Sequence, residues 1–400
     1  METKHIPALD GIRGIAILLV LMVHFIPPVA MQWRVAEWFM KVFATGGWVG
    51  VDLFFVLSGF LITGILLRTK DRPRYFVNFY MRRTLRIFPL YFLALLIVFG
   101  ALPHFIDTPR FATLQEHQYF HWLYLTNVGL LAAGKEAMDS DVATLAVYWS
   151  LAVEEHFYLV WPTVIYFCRT RTVKIVCAAV IASAFLIRSG GVLALGSTSM
   201  FAYQTPARMD GLAVGALVAT LLYERGTIGL RQLLRPIAII AAIAGTVLLA
   251  HFLYMKGLWA SHWFMRTFGL SMLLGIFAAV LIASVSVPNG ALSRVLSSST
   301  LRFFGKYSYG MYVIHALLIP ALLTLLPREQ WMGFFGDQVM IGSLSLVAAK
   351  IAICTVLAVV SFHFYEMPFL RLKRSFESKP HATSTEAVPQ QLAVSRTPDR

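Results

Sequence analysis

The chain has 400 residues, of which 58% are hydrophobic and only 14% charged, with a formal net charge of +14 and a mean hydropathy of +0.70. Soluble domains carry about 25% charged residues, so this composition excludes a water-soluble enzyme and predicts an all-α, polytopic membrane protein. The excess of positive charge follows the membrane topology and is not a nucleic-acid footprint, so no nucleic-acid partner is expected.

A span needs roughly 20 mostly apolar residues. Such runs centre, in chain order, near residues 12–31, 46–67, 87–103, 145–168, 173–195, 205–223, 236–255, 264–286, 307–326 and 340–365, ten transmembrane helices in all. The aromatic segment QYFHWLYLTNVGLLAAG at 118–134 is taken as interfacial, because counting it as a span would invert everything after it. With the N-terminus inside, the even-numbered connections and the two ends hold 24 of the 34 Lys and Arg, the outer connections hold nine, Arg188 counted among them, and Lys350 lies within the tenth span. That bias predicts both termini in the cytoplasm.

The first span lacks a small-residue cleavage site, so no cleaved signal peptide is expected. Cys168, Cys177 and Cys354 stand at no metal-ligand spacing and are expected in the core or facing lipid, with neither a disulfide nor a metal role. Residues 1–375 read as one membrane domain. From 376 to 400 the chain loses apolar periodicity and gains Pro, Ser, Thr and Gln, which predicts a disordered cytoplasmic tail. Any chemistry then belongs to the membrane portion.

Polar residues inside the spans carry the functional signal, because ionisable groups at depth cost several kcal/mol unless they pair or line a wet cavity. Arg13 and His24 are eleven residues apart, about 20° from the same helix face and about 16 Å apart along the axis. Asp10 is one turn from Arg13 and can pair with it. Asp52 falls near the outer end of the second span and Ser58 nearer its middle. In the third, MRRTLRIFPLYF puts Arg83 and Arg86 one turn apart at the cytoplasmic boundary, with Arg82 beside them as a headgroup anchor. In the fourth, Ser150, Glu154 and Tyr158 form an i, i+4, i+8 stripe, and Glu154 and Glu155 reach the depth of His24. His117 and His121 read as interfacial, and the GxxxG pairs Gly46–Gly50 and Gly211–Gly215 as helix-packing contacts.

This layering, cations at one side and acid, imidazole and hydroxyl groups at mid-depth, implies one cavity with chemistry in it. Paired arginines suit phosphate groups, and a phosphate-bearing donor would need an arm of about 16 Å to reach His24, which coenzyme A has. An imidazole beside a carboxylate can act as general base on an acceptor hydroxyl, the carboxylate fixing its tautomer; a covalent acyl-imidazole is the other route.

The segments IPALDGIRGIAILLVLMVHF, GGWVGVDLFFVLSGFLITGIL, RRTLRIFPLYF, YWSLAVEEHFYLVWP, PARMDGLAVGAL, FGKYSYGMYVIHALLI and HFYEMPFL, in this order over residues 6–373, resemble the bacterial acyltransferase 3 family of integral-membrane O-acyltransferases. The resemblance implies a ten-helix enzyme of the bacterial inner membrane that moves an acyl group, commonly acetyl, from cytoplasmic acyl-CoA to a hydroxyl of a cell-surface or exported glycan. Acyl-CoA is then a donor substrate, with no permanently bound cofactor. Partners are the carbohydrate acceptor and membrane lipids, and oligomeric state is left open. The family's Arg-x10-His pattern falls on Arg13 and His24, its Arg-x-x-Arg pattern on Arg83 and Arg86, its glutamate on Glu154, its first aspartate on Asp10, and its Tyr and His of the ninth span on Tyr312 and His315. Glu366, in the closing Glu-x-Pro, reads as structural. Two features depart from the pattern: His156 stands where the family usually has glutamine, and the esterase-like domain fused to some members is expected to be missing. The expected site is therefore His24 and Glu154 as catalytic groups, Arg13, Arg83 and Arg86 on the CoA phosphates, and Asp10, Asp52, Ser58, Glu155, Tyr158, Tyr312 and His315 in support. The rival is a transporter or flippase for a glycan or acylated lipid, which would commonly show repeated halves; none is evident between residues 1–200 and 201–373.

Overall fold

The computed structural model describes residues 5–26, 34–336 and 338–376, and every regular element among them is a helix. The expected tail, from residue 377 on, lies outside the described residues. The long helices are α1 (Pro7–Phe25), α2 (Arg34–Gly46), α3 (Val49–Thr69), α4 (Tyr75–Leu95), α5 (Trp149–Phe167), α6 (Thr170–Leu195), α7 (Asp210–Gln232), α8 (Leu234–Met255), α9 (Leu270–Ser286), α10 (Ser299–Leu325) and α11 (Val339–Ser361). Among the described residues nine helical segments are long and apolar enough to cross a membrane. The tenth expected span is α5, whose two glutamates and histidine lower its hydropathy below that of the rest. Helices suit a bilayer because each satisfies its own backbone hydrogen bonds where no water is available.

Local sequence sets several helix ends. Pro7 opens α1 at a position whose N–H would find no partner, and Asp10 in the first turn complements the helix dipole. In α4, Pro89 cannot donate back along the helix, and nearby carbonyls gain outside donors: the Tyr309 hydroxyl on Ile87 and the Tyr365 hydroxyl on Pro89. The chain then continues through a π-helical turn, Leu96–Ala101. Within α7, Gly226 takes φ 64°, a left-handed value that breaks the helix there.

Three starts fall five or more residues ahead of the expectation, that of α10 at Ser299 among them. α1 begins at residue 7 and α4 at residue 75, ahead of the hydropathy limits, so Arg13, Arg83 and Arg86 lie about two to three turns inside their helices. Their charges had pushed the apparent span starts inward, although an arginine facing a cavity does not end a helix. Arg188 was also assigned to an outer connection, but it lies within α6 and is only 1% exposed. As expected, 118–134 is not a span: the segment holds only the short helices Tyr119–Trp122 and Thr126–Ala132, too short to cross.

Two helix crossings at backbone distance hold the bundle. In the first, a Cβ at Gly59 of α3 would collide with the Leu212 carbonyl of α7, and one at Gly215 would collide with the Val56 carbonyl. Gly215 belongs to the second GxxxG pair, which is thus a packing contact; Gly50 of the first pair meets the Ala16 carbonyl. In the second crossing, Gly14 of α1 meets the backbone of Leu301, and Gly305 of α10 meets that of Asp10. With Asp10 beside Gly305 and His24 beside His315, α1 and α10 run in the same direction, which brings the family-like ninth span onto the histidine face of the first.

Adding a methyl group at Gly215 forces α3 and α7 apart. Gly215→Ala is expected to lower stability by about 1–3 kcal/mol, read as a lower melting midpoint in detergent. Gly245→Ala, whose new methyl meets nothing within 4 Å, is the control and keeps the wild-type midpoint. Equal midpoints for the two variants would disprove the close crossing.

Candidate active site

A cavity of about 780 Å³ opens from the end of the bundle that carries the N-terminus. Asp10, Arg13, Ser58, Arg83, Arg86, Glu154, Tyr158 and Tyr312 all line it, so the structure brings together most of the residues singled out in the sequence. Arg13 is 3.6 Å from Asp10, and His5 is 2.7 Å from the same carboxylate. The polar stripe of α5 is tied to two other helices. The Tyr158 hydroxyl donates to Glu154 at 2.7 Å and accepts from Ser58 of α3 at 2.5 Å. Arg83 lies 5.9 Å from the Tyr158 ring, over its face. Five arginines and Lys373 line this cavity against the carboxylates of Asp10 and Glu154, so its field favours an anion.

His24 does not line that cavity. It lines a second one, of about 220 Å³, at the opposite end of the bundle, together with Trp48, Lys135, Trp149, Tyr203 and Arg208. The two cavities meet at Val51 and Tyr312, the residues common to both linings. Tyr312 is fixed by its hydroxyl, which donates to the Val147 carbonyl at 2.7 Å and accepts from Ser150. Its ring is 5.1 Å from that of His315, which in turn is 5.1 Å from that of His24.

His24 and Glu154 line different cavities. His24 Nδ1 instead meets the Val20 carbonyl at 2.8 Å. A carbonyl only accepts, so Nδ1 carries the proton and Nε2 presents a lone pair. The backbone of α1 therefore sets the tautomer, a role the sequence had given to the carboxylate. His315 repeats the pattern, with Nδ1 on the Tyr312 carbonyl and a buried Nε2 that has no partner. His156 lines neither cavity and is held by Thr205 at 2.6 Å. A Glu155 oxygen is buried without a partner.

Behind the second cavity lies a buried ionic layer. Asp52 pairs with Arg208 at 2.8 Å, and Asp210 pairs with Arg188 at 2.6 Å. The Arg188 guanidinium also donates to the carbonyls of Arg266 and Ala207 and to the Ser271 hydroxyl. Asp52 thus serves as the counter-ion that holds Arg208. Arg208 and Asp210 lie in the PARMDG stretch, where two opposite charges opening an apolar run signal burial. No comparable signal marks Arg188, which hydropathy cannot separate from a loop cation.

A model described as an acyltransferase domain matches residues 6–363 of the chain. The chain belongs to the acyltransferase 3 family. Among curated proteins it is 28% identical over 384 residues to the putative peptidoglycan O-acetyltransferase YrhL of Bacillus subtilis, covering 91% of this chain and 55% of that protein. It is 26% identical over 405 residues to the peptidoglycan O-acetyltransferase OatA of Listeria monocytogenes, covering 94% of this chain and 58% of that one. It is also 26% identical over 386 residues to a putative O-acetyltransferase of Staphylococcus aureus strain COL, covering 92% and 58%. The chain therefore spans little more than half the length of these relatives. No solved structure matches it.

Breaking a buried ion pair from one side leaves the other charge stranded. Arg188→Met is expected to cost about 3–5 kcal/mol, and Arg188→Met with Asp210→Leu to recover most of it, both read from melting midpoints in detergent. A double variant as unstable as the single one would show that the two charges are not coupled.

Proposed function

We propose that the protein is a membrane O-acyltransferase that moves an acetyl group from cytoplasmic acyl-CoA to a hydroxyl of a cell-surface or exported glycan. One observation carries this reading: an arginine-lined cavity and a histidine-lined cavity lie back to back and meet at Tyr312 and Val51. The names of the relatives, peptidoglycan O-acetyltransferases among them, support acetyl as the group and a glycan as the acceptor. The excess of Lys and Arg in the even-numbered connections supports a cytoplasmic arginine side in a bacterial inner membrane.

Arg13, Arg83 and Arg86 hold the donor's phosphates through charge-assisted hydrogen bonds. The pantetheine arm then runs along α1 for the about 16 Å that separates Arg13 from His24, and the thioester carbonyl passes Tyr312. Nε2 of His24 takes the proton of the acceptor hydroxyl as its oxygen attacks the carbonyl carbon. The carbon–sulfur bond breaks as the ester forms, and the imidazolium returns the proton to the leaving thiolate. Glu154 acts at a distance. Through Tyr158 and Ser58 it fixes the wall on which the arm lies, and it offsets part of the arginine charge.

Radiolabelled acetyl-CoA incubated with the purified protein and an extract of cell envelope tests this. Wild type is expected to label the extract, and His24→Ala to lower kcat by at least about 10²-fold with acetyl-CoA still bound. Arg83→Ala and Arg86→Ala are expected to raise the KM for acetyl-CoA more than they lower kcat. Near-normal transfer by folded His24→Ala protein would rule the mechanism out, and transfer itself would rule out pure transport.

A further inference from the structure

We propose that the second cavity selects an acceptor bearing a carboxylate or phosphate group, which Lys135 and Arg208 hold while its hydroxyl meets His24. This rests on the reading of that cavity as the acceptor site, and adds the chemical class of the acceptor.

The ionisable side chains on its wall are His24, Lys135, Arg208 and Arg266, with no carboxylate among them. Arg266 is already engaged: its guanidinium donates to the carbonyls of Ala260 and Ser199 and lies over the Tyr203 ring. Arg208 is only half engaged. One terminal nitrogen donates to Asp52 at 2.8 Å, and the group lies 5.1 Å from the Trp149 ring, over its face. Its Nε–H has no partner although the residue is only 6% exposed. A buried donor left unmatched carries a full desolvation cost, and the guanidinium that bears it forms part of the cavity wall.

Lys135 is exposed at the mouth, the first residue of the turn after Gly134, and close enough to His24 to act on it electrostatically. The cavity wall thus carries one fixed guanidinium and one exposed ammonium, with His24 on the same wall. A neutral sugar would bring no counter-charge to either, and the carboxylates that act on them, Asp52 and Asp139, lie outside the lining. An anionic group brings that counter-charge into the cavity, and the low-dielectric walls focus its attraction. The donor's phosphates are not that group, since the first cavity gathers a larger set of cations for them. Anchoring the charge beside His24 also orients the neighbouring hydroxyl, which is where positioning contributes most to rate.

The test uses the full-length protein with radiolabelled acetyl-CoA and envelope extract, and two competing tetrasaccharides: a hyaluronan fragment, which carries carboxylates, and a chitin fragment, which does not. The hyaluronan fragment is expected to inhibit at about tenfold lower concentration, the factor of one charge-assisted contact, and added salt to narrow that gap. Lys135→Glu, at an exposed site that does not support the fold, should abolish the difference and raise the KM for the acceptor while the KM for acetyl-CoA is unchanged. Equal inhibition by the two fragments, absence of inhibition by either, or a preference that survives Lys135→Glu would overturn the proposal and leave acetyl transfer intact. If wild type transfers no label at all, the acyltransferase reading fails and the proposal falls with it.

Discussion

A charge inside a membrane bundle must be paired or wet, and the architecture follows from how each charge meets that demand. Asp52 with Arg208 and Asp210 with Arg188 take the first course and form a buried layer. Arg13, Arg83, Arg86 and Glu154 take the second and line a cavity. The glycine crossings serve both. By letting α3 meet α7 and α1 meet α10 at backbone distance, they bring side chains from helices remote in sequence to one depth, where pairing is possible.

His24 illustrates how little the fold needs to prepare a reactive group. An imidazole in the last turn of a helix can donate to the carbonyl four residues back, as His24 does to Val20. That single bond fixes the proton on Nδ1 and leaves Nε2 basic. No carboxylate is required for orientation, so Glu154 is available on the other side of Tyr312, where its bond to Tyr158 links α5 to Ser58 of α3. Two groups expected at similar depth line different cavities.

Much of this was legible in the residues. Apolar run length located α5 and the nine segments that are long and apolar enough to cross, because lipid imposes that length on any span. The α5 stripe of Ser150, Glu154 and Tyr158 was legible because helical periodicity puts these groups on one face, and all three line the first cavity. What escaped was lateral information. Eleven residues of helix separate Arg13 from His24, but nothing in that spacing says that a tyrosine from α10 stands between their cavities. Arg188 was read as a loop cation because hydropathy registers its charge and not the four acceptors that α7, the turn before α9 and their neighbours supply. His156 stands where the resemblance expects glutamine, and nothing in the sequence shows that Thr205, 49 residues on, meets it.

The partition at Tyr312 and Val51 has an electrical side. Two water-accessible cavities entering a bilayer from opposite faces would, if joined, form a conductor, and at about 2.3 kcal/mol per elementary charge per 100 mV any ion path would discharge the membrane. Tyr312, held by both Val147 and Ser150, and the valine beside it keep the two aqueous spaces apart. On the proposed function, the wall that a small acyl group would pass is also the insulator of the membrane.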